Sequence, residues 1–394
     1  MSNPDNFISS AVQEIENKDF QGYNIDFEPY DGKSTNQDGI NYGIFLNKFA
    51  NALHKVNKKL LSHLKDKELK KIYKNFSEFL KKRKINSFVV SLSGGPDSLA
   101  MTYFSKCFQI LNNSRIYYVH VDHKLRTSSS KEAKDLKNFI KKFKINCNIL
   151  TWKKTKKVRG TQENARIARY SLLEKFCKRK KIRALFLAHN KDDLYENFFI
   201  RMLRGSGIRG LTSFSSKENT INDNLKSYRP FLDLPKKTLY KVTNKTFGYY
   251  INDPSNSNKD FLRIRIRNIL SSFLNEGFNK KKFNLTYCNL HSANETLKYY
   301  SNKNILNNTN FFTKNKKDCI IINRDFFKQP DEIVFRSLSN LISKINKNYY
   351  YIRGRKLINK IGEIRGSSFK KTTVGGCIIE RVNNSTLIYL ENLK

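Results

Sequence analysis

The stretch that decides the fold is Phe88-Val89-Val90-Ser91-Leu92-Ser93-Gly94-Gly95-Pro96-Asp97-Ser98. Its first half is a mostly apolar run with two β-branched residues, which is typical of a buried strand. Its second half holds two glycines, which let the backbone turn tightly and approach a ligand without a Cβ in the way. Backbone amides, the two outer serine hydroxyls and the following helix N-terminus would form a concave set of donors for an anion. The alternative is a plain Gly-Pro turn capped by Asp or Ser.

The carboxylate within this turn narrows its chemistry. Asp97 would repel a bare phosphate, so its presence indicates a Mg²⁺ ion shared with a nucleotide. The turn is not a Walker A loop, because no Gly-x-x-x-x-Gly-Lys-Ser/Thr string occurs in the chain.

Apolar runs and helical segments alternate after this point. The predicted strands are Phe88–Leu92, Ile116–Val121, Cys147–Trp152 and Ala184–Ala188, and the predicted helices cover about 98–111, 129–143, 162–179 and 191–204. The alternation predicts an α/β fold, a parallel sheet with helices on both faces. Ligands of such sheets bind beyond the carboxyl ends of the strands, so we expect the chemistry to begin where each strand stops.

Composition restricts the class of protein. The formal charge of +41 over 394 residues favours polyanionic partners, although a genome-wide bias toward Lys, Asn and Ile would also produce it. We expect a cytoplasmic protein without a membrane segment, because we find neither a long uncharged apolar stretch nor a secretory signal. The six cysteines include no Cys-x-x-Cys pair, which argues against zinc, iron–sulfur and dithiol redox sites.

Polar motifs follow three further strand ends. They are His120-Val121-Asp122-His123-Lys124-Leu125-Arg126, Thr161-Gln162-Glu163-Asn164-Ala165-Arg166-Ile167-Ala168-Arg169-Tyr170 and His189-Asn190-Lys191-Asp192-Asp193-Leu194-Tyr195-Glu196-Asn197. Taken alone, the second motif is a solvated charged face, and the carboxylates of the third could complement a helix N-terminus. Asp193 and Glu196 are three apart, so they can also point the same way toward Mg²⁺, a substrate ammonium or a proton.

These strings, in this order, resemble a known family. The turn looks like the Ser-Gly-Gly-x-Asp-Ser signature of the PP-loop ATP pyrophosphatases, which split ATP between its α- and β-phosphates. The later motifs are similar to those of the lysidine synthetases. The series continues through Arg201–Leu211, Arg229–Leu232, Asp253–Asn256 and Arg263–Arg267, and Thr373–Cys377 is similar to a C-terminal element of some relatives. Asn190, Leu194, Asn197 and Ile264 stand where the family commonly has His, Gln, Thr and Asn.

The resemblance implies a function. Such an enzyme adenylates the C2 oxygen of the wobble cytidine in a CAU-anticodon tRNA(Ile), and free L-lysine then displaces AMP to give lysidine. ATP and Mg²⁺ are the expected cofactors, and neither DNA nor a membrane is an expected partner; a homodimer is compatible with the sequence. The alternatives are a 2-thiocytidine-type tRNA thiolase, an amide-forming synthetase and a catalytically silent basic RNA-binding protein.

The resemblance also implies residue roles. The expected ATP-binding residues are Ser93, Gly94, Gly95, Pro96, Asp97, Ser98, His120, Asp122 and His123, with Asp97 also binding Mg²⁺. The expected catalytic residues are Asp97, His189, Asp193, Glu196, Arg265 and Arg267. The expected tRNA-binding residues are Arg126, Arg166, Arg169, Arg204, Arg209 and Arg263, joined by C-terminal side chains such as Tyr349, Tyr350, Tyr351, Arg353, Arg355 and Lys356.

Four regions are predicted along the chain. Residues 1–84 form an N-terminal extension, acidic over 1–45 and basic and helical over 46–84, where Phe49, Leu53, Val56, Leu60 and Leu64 recur at helical spacing. Residues 85–270 form the ATP-binding catalytic domain and 271–300 a helical linker. Residues 301–394 form a smaller α+β region that binds tRNA.

Overall fold

The structure is a computed structural model. It describes residues 57, 59–126, 128–152, 162–214, 217–222, 224–251, 262–314, 317–346 and 354–391. Some predictions lie outside these residues: the acidic segment 1–45, Phe49, Leu53, Val56, the Asp253–Asn256 motif, Tyr349, Tyr350, Tyr351, Arg353 and the side chain of Arg355. Among the helices that are described, none has the length and apolarity needed to span a membrane.

The chain divides into two compact units, the first formed by the described residues up to Arg204 and by Ser213–Ser272. Its strands are β1 (Ser87–Ser91), β2 (Arg115–Asp122), β3 (Cys147–Thr151), β4 (Ala184–Phe186), β5 (Glu218–Asn222) and β6 (Leu225–Tyr228). Its helices are α1 (Lys67–Lys82), α2 (Pro96–Asn112), α3 (Ser129–Lys141), α4 (Gln162–Lys180), α5 (Lys191–Leu203), α7 (Lys236–Thr246) and most of α8 (Leu262–Asn275), and the short α6 (Ile208–Leu211) belongs to the second unit.

The first unit is built on a six-stranded sheet in the order β3-β2-β1-β4-β6-β5. All neighbours are parallel except β5, which runs antiparallel to β6 at the edge. The predicted α/β class and its four strand–helix pairs are thereby confirmed, with boundaries shifted by at most two residues. β1 lies between β2 and β4, so the Ser93–Ser98 turn leaves from the middle of the sheet, where ligands of this architecture bind.

Both faces of this sheet are buried, as strand alternation requires. Phe88 and Val90 face a core shared with α1, α2, α3 and α7. Val89 faces the opposite side, where it packs in a cluster with Leu173 and Phe176 of α4. Burial of β1 on both sides gives the turn at its carboxyl end a rigid base.

The second unit comprises Gly205–Thr212 and the described residues from Phe273 onward. Its elements are α9 (Lys280–Asn308), β7 (Thr309–Lys314), β8 (Lys317–Ile322), a 3₁₀ helix (Arg324–Lys328), α10 (Asp331–Asn346), α11 (Gly354–Arg365), β9 (Lys371–Val374), β10 (Cys377–Val382) and β11 (Ser385–Leu390). The strands form an antiparallel sheet in the order β7-β8-β11-β10-β9. One apolar core joins Ile320 and Ile388 of the sheet to Leu338 of α10 and Leu357 of α11. The predicted division at residues 84, 270 and 300 stays a prediction.

Candidate active site

The turn after β1 is organised around one hydroxyl. Ser98 Oγ accepts from the backbone N–H groups of Ser93 (3.2 Å) and Gly94 (3.1 Å), lies 3.1 Å from Ser93 Oγ, and donates to Gly95 O (2.8 Å). Gly95 is the N-cap of α2 without any side-chain cap, and Pro96 is the first helical residue. A helix N-terminus left in this state keeps free backbone donors, which suits it to an anion.

Two hydrogen bonds from residues later in the chain hold this turn in place. Gly94 has φ +89°, and an added Cβ would lie 2.8 Å from Ile251 Cδ1. Its carbonyl accepts from Ile251 N at 3.0 Å, and Thr243 Oγ1 of α7 donates to Pro96 O at 2.6 Å. Glycine is therefore required at position 94 by both the backbone angle and the space.

Asp97 lies in the first turn of α2 and is half-buried. Burial, and next the nearby Asp193 carboxylate, raise the pKa of Asp97 from its ordinary value of 3.8 to about 7. Its Oδ1 has no hydrogen-bond partner among the described residues. A buried carboxylate oxygen in this state is stabilised by any cation that reaches it.

The N-terminus of α5 brings a second carboxylate to the same place. Asn190 and Asp193 form a capping box: Asn190 Oδ1 accepts from Asp193 N, and Asp193 Oδ2 accepts from Asn190 N, both at 3.0 Å. Burial raises the pKa of Asp193, which makes this carboxylate a better proton acceptor than an exposed one. The neighbouring Asp192 points elsewhere, because its Oδ2 accepts from Lys236 N of α7 at 2.7 Å.

Glu196 is held by two arginines of α8. Its side chain is only 2% exposed, and its Oε2 and Oε1 accept from Arg263 Nε (2.6 Å) and Arg267 Nε (2.7 Å). Arg263 also donates to Asp193 Oδ1 at 2.8 Å. Because residues four apart share a helix face, one face of α8 neutralises both carboxylates of α5.

A second set of arginines surrounds His189. Burial lowers the pKa of His189 well below 6.5, and the guanidinium groups of Arg229, Arg263, Arg169 and Arg166 lower it further. The imidazole is therefore neutral, and its Nδ1 has no partner among the residues that the structure describes. It stands edge-on to Phe214 with ring centroids 4.9 Å apart, and the Arg229 guanidinium carbon lies 4.6 Å from the centroid of the same ring. Arg166 and Arg169, predicted to bind tRNA, thus lie close to the predicted catalytic histidine.

The predicted ATP-binding residues at the end of β2, His120, Asp122 and His123, have different surroundings. His120 Nδ1 lies 2.9 Å from Leu92 O, so it carries the proton and leaves Nε2 as an acceptor. The pKa of His123 is lowered to about 4, first by burial and then by Arg169, and its Nδ1 has no partner in the described part of the chain.

Both carboxylate oxygens of Asp122 accept hydrogen bonds from neighbouring residues. Its Oδ1 accepts from Lys124 N and Ser129 Oγ, both at 2.9 Å, and its Oδ2 accepts from Ser130 Oγ at 2.7 Å. These bonds fasten the start of α3 to the end of β2. The contacts favour a structural role for Asp122, and the predicted nucleotide contact stays a prediction.

Of the remaining predicted arginines, Arg126, Arg204 and Arg265 are exposed and Arg209 is half-buried. Arg265 projects from α8 between the buried Ile264 and Ile266, on a different side of the helix from Arg263 and Arg267. Arg126 pairs with Glu132 at 3.1 Å, and Arg204 is the exposed C-cap residue of α5. In the second unit, Arg209 donates to Asn340 Oδ1 at 3.3 Å, and Lys356 is exposed on α11.

Sequence reasoning missed one basic residue of the site. Lys236 begins α7, and its charge lowers the pKa of both Asp97 and Asp193, which places the ammonium near both carboxylates. Its position in a Pro-Lys-Lys string gave no reason to prefer it to Lys237. The feature that could have identified Lys236 is its position just after the Arg229–Leu232 motif, at the start of a helix that begins at the carboxyl edge of the sheet.

The residues around the turn fit a magnesium ion that is shared with a nucleotide. Among the described residues, no group of three or more His, Cys, Asp or Glu side chains could hold a metal by itself. Asp97 Oδ1 is a buried, unpartnered oxygen beside donors suited to phosphates. Mg²⁺ commonly binds through one or two carboxylates together with substrate phosphates and water, and Asp97 matches that pattern.

Comparison with known proteins agrees with this geometry. Residues 67–274 match the family model described as a PP-loop domain. A tRNA(Ile)-lysidine synthase from Orientia tsutsugamushi (strain Boryong) is 31% identical over 312 residues, which cover 77% of this chain and 69% of the relative. A tRNA(Ile)-lysidine synthase from Wolbachia sp. subsp. Brugia malayi (strain TRS) is 28% identical over 323 residues, 78% of this chain and 72% of the relative.

Among solved structures, a U34-tRNA thiolase from Methanococcus maripaludis covers 57% of this chain and 78% of its own. Its sequence identity is 17% and its TM-score 0.48, so it carries no argument about substrate. Fold and turn together define a PP-loop protein, which confirms the predicted superfamily. The matches over most of the chain define the group within it: the chain belongs to the tRNA(Ile)-lysidine synthase family.

Proposed function

We propose that this chain is an ATP-dependent ligase that joins the ε-amine of free L-lysine to C2 of the wobble cytidine in a CAU-anticodon tRNA(Ile). The observation that carries the proposal is the meeting of two groups at the centre of the sheet. One is the turn, with Asp97 and a helix N-terminus that has no side-chain cap; the other is the pair of carboxylates at the start of α5, the partly buried Asp193 and the buried Glu196. A phosphate site for ATP beside an acidic site for the lysine amine is what this reaction between ATP, lysine and tRNA requires.

The first step activates the base. The C2 oxygen of cytidine attacks the α-phosphorus of ATP, the bond to the β-phosphate oxygen breaks, and pyrophosphate leaves. The turn from Ser93 to Ser98 would bind the phosphates through its backbone N–H groups, and a Mg²⁺ ion, held by Asp97 and the phosphates, would neutralise part of their charge. Arg267, which bonds Glu196, and the neutral His189 would stabilise the adenylate.

The second step releases AMP. The lysine amine attacks C2, the bond between C2 and its oxygen breaks, and that oxygen departs with AMP. An ordinary lysine amine has a pKa of about 10.4, so it must lose a proton to attack. Asp193 would accept this proton, because burial raises its pKa and because it makes one arginine contact, through Oδ1, whereas Glu196 accepts from an arginine at each of its oxygens. Glu196 would then position Arg263 and Arg267.

Cysteine chemistry argues against the thiolase alternative. The first unit contains Cys107, Cys147 and Cys177, all buried, and burial raises the pKa of each thiol to about 12. A thiol of that kind is almost entirely protonated near neutral pH and is a poor nucleophile or sulfur carrier.

The test is direct. The protein is incubated with ATP, radiolabelled lysine and a tRNA(Ile) transcript bearing the CAU anticodon, and label in RNA is measured together with AMP. We expect label that depends on ATP and disappears when the wobble cytidine is replaced by uridine. Incorporation of sulfur from a persulfide donor without lysine incorporation would support the thiolase instead, and RNA binding without AMP release would support a silent RNA-binding protein.

A further inference from the structure

The side-chain hydroxyl of Thr243 in α7 makes a hydrogen bond that departs from the usual helical pattern. A threonine inside a helix commonly donates to the carbonyl four residues earlier. This pattern is followed in the described helices by Thr102, Thr246, Thr286 and Thr296, which donate to Ser98 O, Val242 O, Lys282 O and Ser292 O. Thr243 instead donates to Pro96 O of α2, at 2.6 Å and across 147 positions of the chain. The hydroxyl therefore stabilises another element rather than its own helix.

The bond lies inside the core of the first unit. Thr243 is 0% exposed, and Pro96 is buried as well. Leu239 and Val242 of α7 belong to the same apolar core as Leu99 of α2, so the two helices pack together where the bond forms. A hydrogen bond in such surroundings is electrostatically stronger than one in water. The start of α2 is therefore held firmly against α7.

The acceptor is the carbonyl of one particular peptide unit. Pro96 is the first residue of α2, and the peptide that carries its oxygen also carries the N–H of Asp97. Because a peptide unit is planar, a bond that fixes the oxygen also fixes the direction of this N–H. The first N–H groups of a helix have no intrahelical acceptor, and proline has no N–H at all. The Asp97 N–H is therefore the first donor that α2 itself can offer to a ligand.

The same bond strengthens that donor. A peptide group whose oxygen accepts a hydrogen bond is polarised, and its N–H becomes a better donor. A carbonyl oxygen has two lone pairs, so Pro96 O can accept from Thr243 and still accept within α2. The hydroxyl thus acts on both the direction and the strength of the N–H that belongs to the proposed magnesium ligand, Asp97.

We propose that Thr243 is a positioning residue of the nucleotide site, which acts by fixing the Pro96–Asp97 peptide at the start of α2. As a buried side chain it would touch no substrate, and its influence would pass through Pro96 to the N–H and carboxylate of Asp97. The proposal deepens the proposed function and rests on it for the identity of the nucleotide. It requires that loss of the hydroxyl weakens binding of the magnesium nucleotide and leaves the use of lysine unchanged.

Two variants remove the hydroxyl. Thr243→Val keeps the β-branched shape, and Thr243→Ala is the second variant because a valine methyl could crowd the carbonyl that lies 2.6 Å from the hydroxyl. Thr246→Val is the matched control, because Thr246 lies in the same helix, is 6% exposed and donates to Val242 O of α7 itself at 2.8 Å. Thr243→Ser is the rescue variant, because it keeps the hydroxyl without the methyl group.

The first measurement is the affinity for α,β-methylene-ATP with Mg²⁺, by calorimetry without tRNA. We expect Thr243→Val and Thr243→Ala to bind about 3- to 10-fold more weakly than wild type, a factor typical of one lost hydrogen bond. Thr243→Ser and the control Thr246→Val should bind nearly as wild type does. Unchanged affinity in both hydroxyl-free variants, an equal loss in Thr246→Val, or no rescue in Thr243→Ser would overturn the proposal.

The second measurement is hydrogen–deuterium exchange of the peptide that spans residues 93–101, without nucleotide. Its amides should exchange faster in Thr243→Val and Thr243→Ala than in Thr246→Val, because the start of α2 has lost a hydrogen bond that holds it. Equal exchange in all variants would show that the hydroxyl does not hold this turn, and it would overturn the proposal.

Steady-state assays of AMP transfer separate positioning from a general loss of stability. The KM for ATP should rise in the two hydroxyl-free variants, whereas the KM for lysine should not change; a rise for lysine alone would overturn the proposal. Failure of the wild-type protein to label tRNA would count against the proposed function. Exchange and calorimetry without tRNA would still decide the role of Thr243.

Discussion

Replacing Asp97 by asparagine should stabilise the protein while abolishing its activity. In the ligand-free protein the pKa of Asp97 is raised to about 7 from 3.8, first by burial and then by Asp193. Below pH 3.8 the carboxyl is protonated in both the folded and the unfolded state, so it costs no stability. Between pH 3.8 and about 7 the unfolded chain loses this proton while the folded protein keeps it, so the penalty grows over that range and levels off above it. The side chain in Asp97→Asn has nearly the same shape and never ionises, so the variant escapes this penalty.

The magnitude follows from the same two values. At 1.36 kcal/mol for each pKa unit, the difference between 3.8 and 7 gives Asp97→Asn an advantage of about 4 kcal/mol at pH 8. At pH 5.5 the wild-type carboxyl is still mostly protonated in the folded state, and the advantage is about 2 kcal/mol. The gap between variant and wild type should therefore widen by about 2 kcal/mol over this range.

The assay is urea denaturation of wild type and Asp97→Asn at several pH values from 5.5 to 8, without nucleotide. Asp135→Asn on the exposed face of α3 is the control, and it should show a small difference that barely changes with pH. AMP transfer by Asp97→Asn should be undetectable, because the proposed magnesium ligand is lost. A variant less stable than wild type throughout, or a gap that narrows as the pH rises, would refute the electrostatic reasoning.

Three further predictions concern the neighbouring residues. Glu196→Gln should lower the free energy of unfolding by about 1.5–3 kcal/mol, because the partly exposed Arg263 and Arg267 lose their shared counter-charge. A loss under about 0.5 kcal/mol, measured in urea, would contradict the pairing. Arg267→Ala should reduce AMP transfer at least about tenfold, because losing a hydrogen bond to a charged group typically weakens an interaction by about that factor. Arg265→Ala, on another face of α8, should leave AMP transfer nearly unchanged. Equal effects of the two variants would show that the face of α8 does not matter. Gly94→Ala should destabilise the protein by about 1–3 kcal/mol and abolish ATP binding. Gly95→Ala should fold normally, because its Cβ would meet only Ser93 Oγ, at 3.8 Å. Equal melting temperatures for the two variants would count against the strain at Gly94.

Local patterns were enough to predict the catalytic unit. Each of the four predicted strand–helix pairs is a continuous segment whose apolar spacing reflects its own burial, and β1 with its turn is the clearest example. The rule that ligands bind beyond parallel strand ends then placed Ser93–Ser98 and His189 on one edge of the sheet. Both β5 and β6 were missed: the antiparallel β5 alternates weakly and is only partly buried, and β6 is only four residues long.

Pairings between distant segments could not be predicted. Glu196 and Arg263 are 67 residues apart, and nothing local marks them as partners. The sequence spacing indicated only that Asp193 and Glu196 share one face of their helix and that Arg263 and Arg267 share one face of theirs. Asp122 shows the opposite difficulty: its motif indicated a ligand, but the serines that fasten it, Ser129 and Ser130, come from the next helix. In both cases the outcome depends on which groups the fold brings within hydrogen-bond distance.

The bond between Ile251 N and Gly94 O has a mechanical consequence. The Ile251 side chain also packs against the same glycine, where an added Cβ would lie 2.8 Å from its Cδ1. Any shift of this turn on nucleotide loading would therefore displace Ile251 as well, so the position of the phosphate turn is coupled to a residue far along the chain.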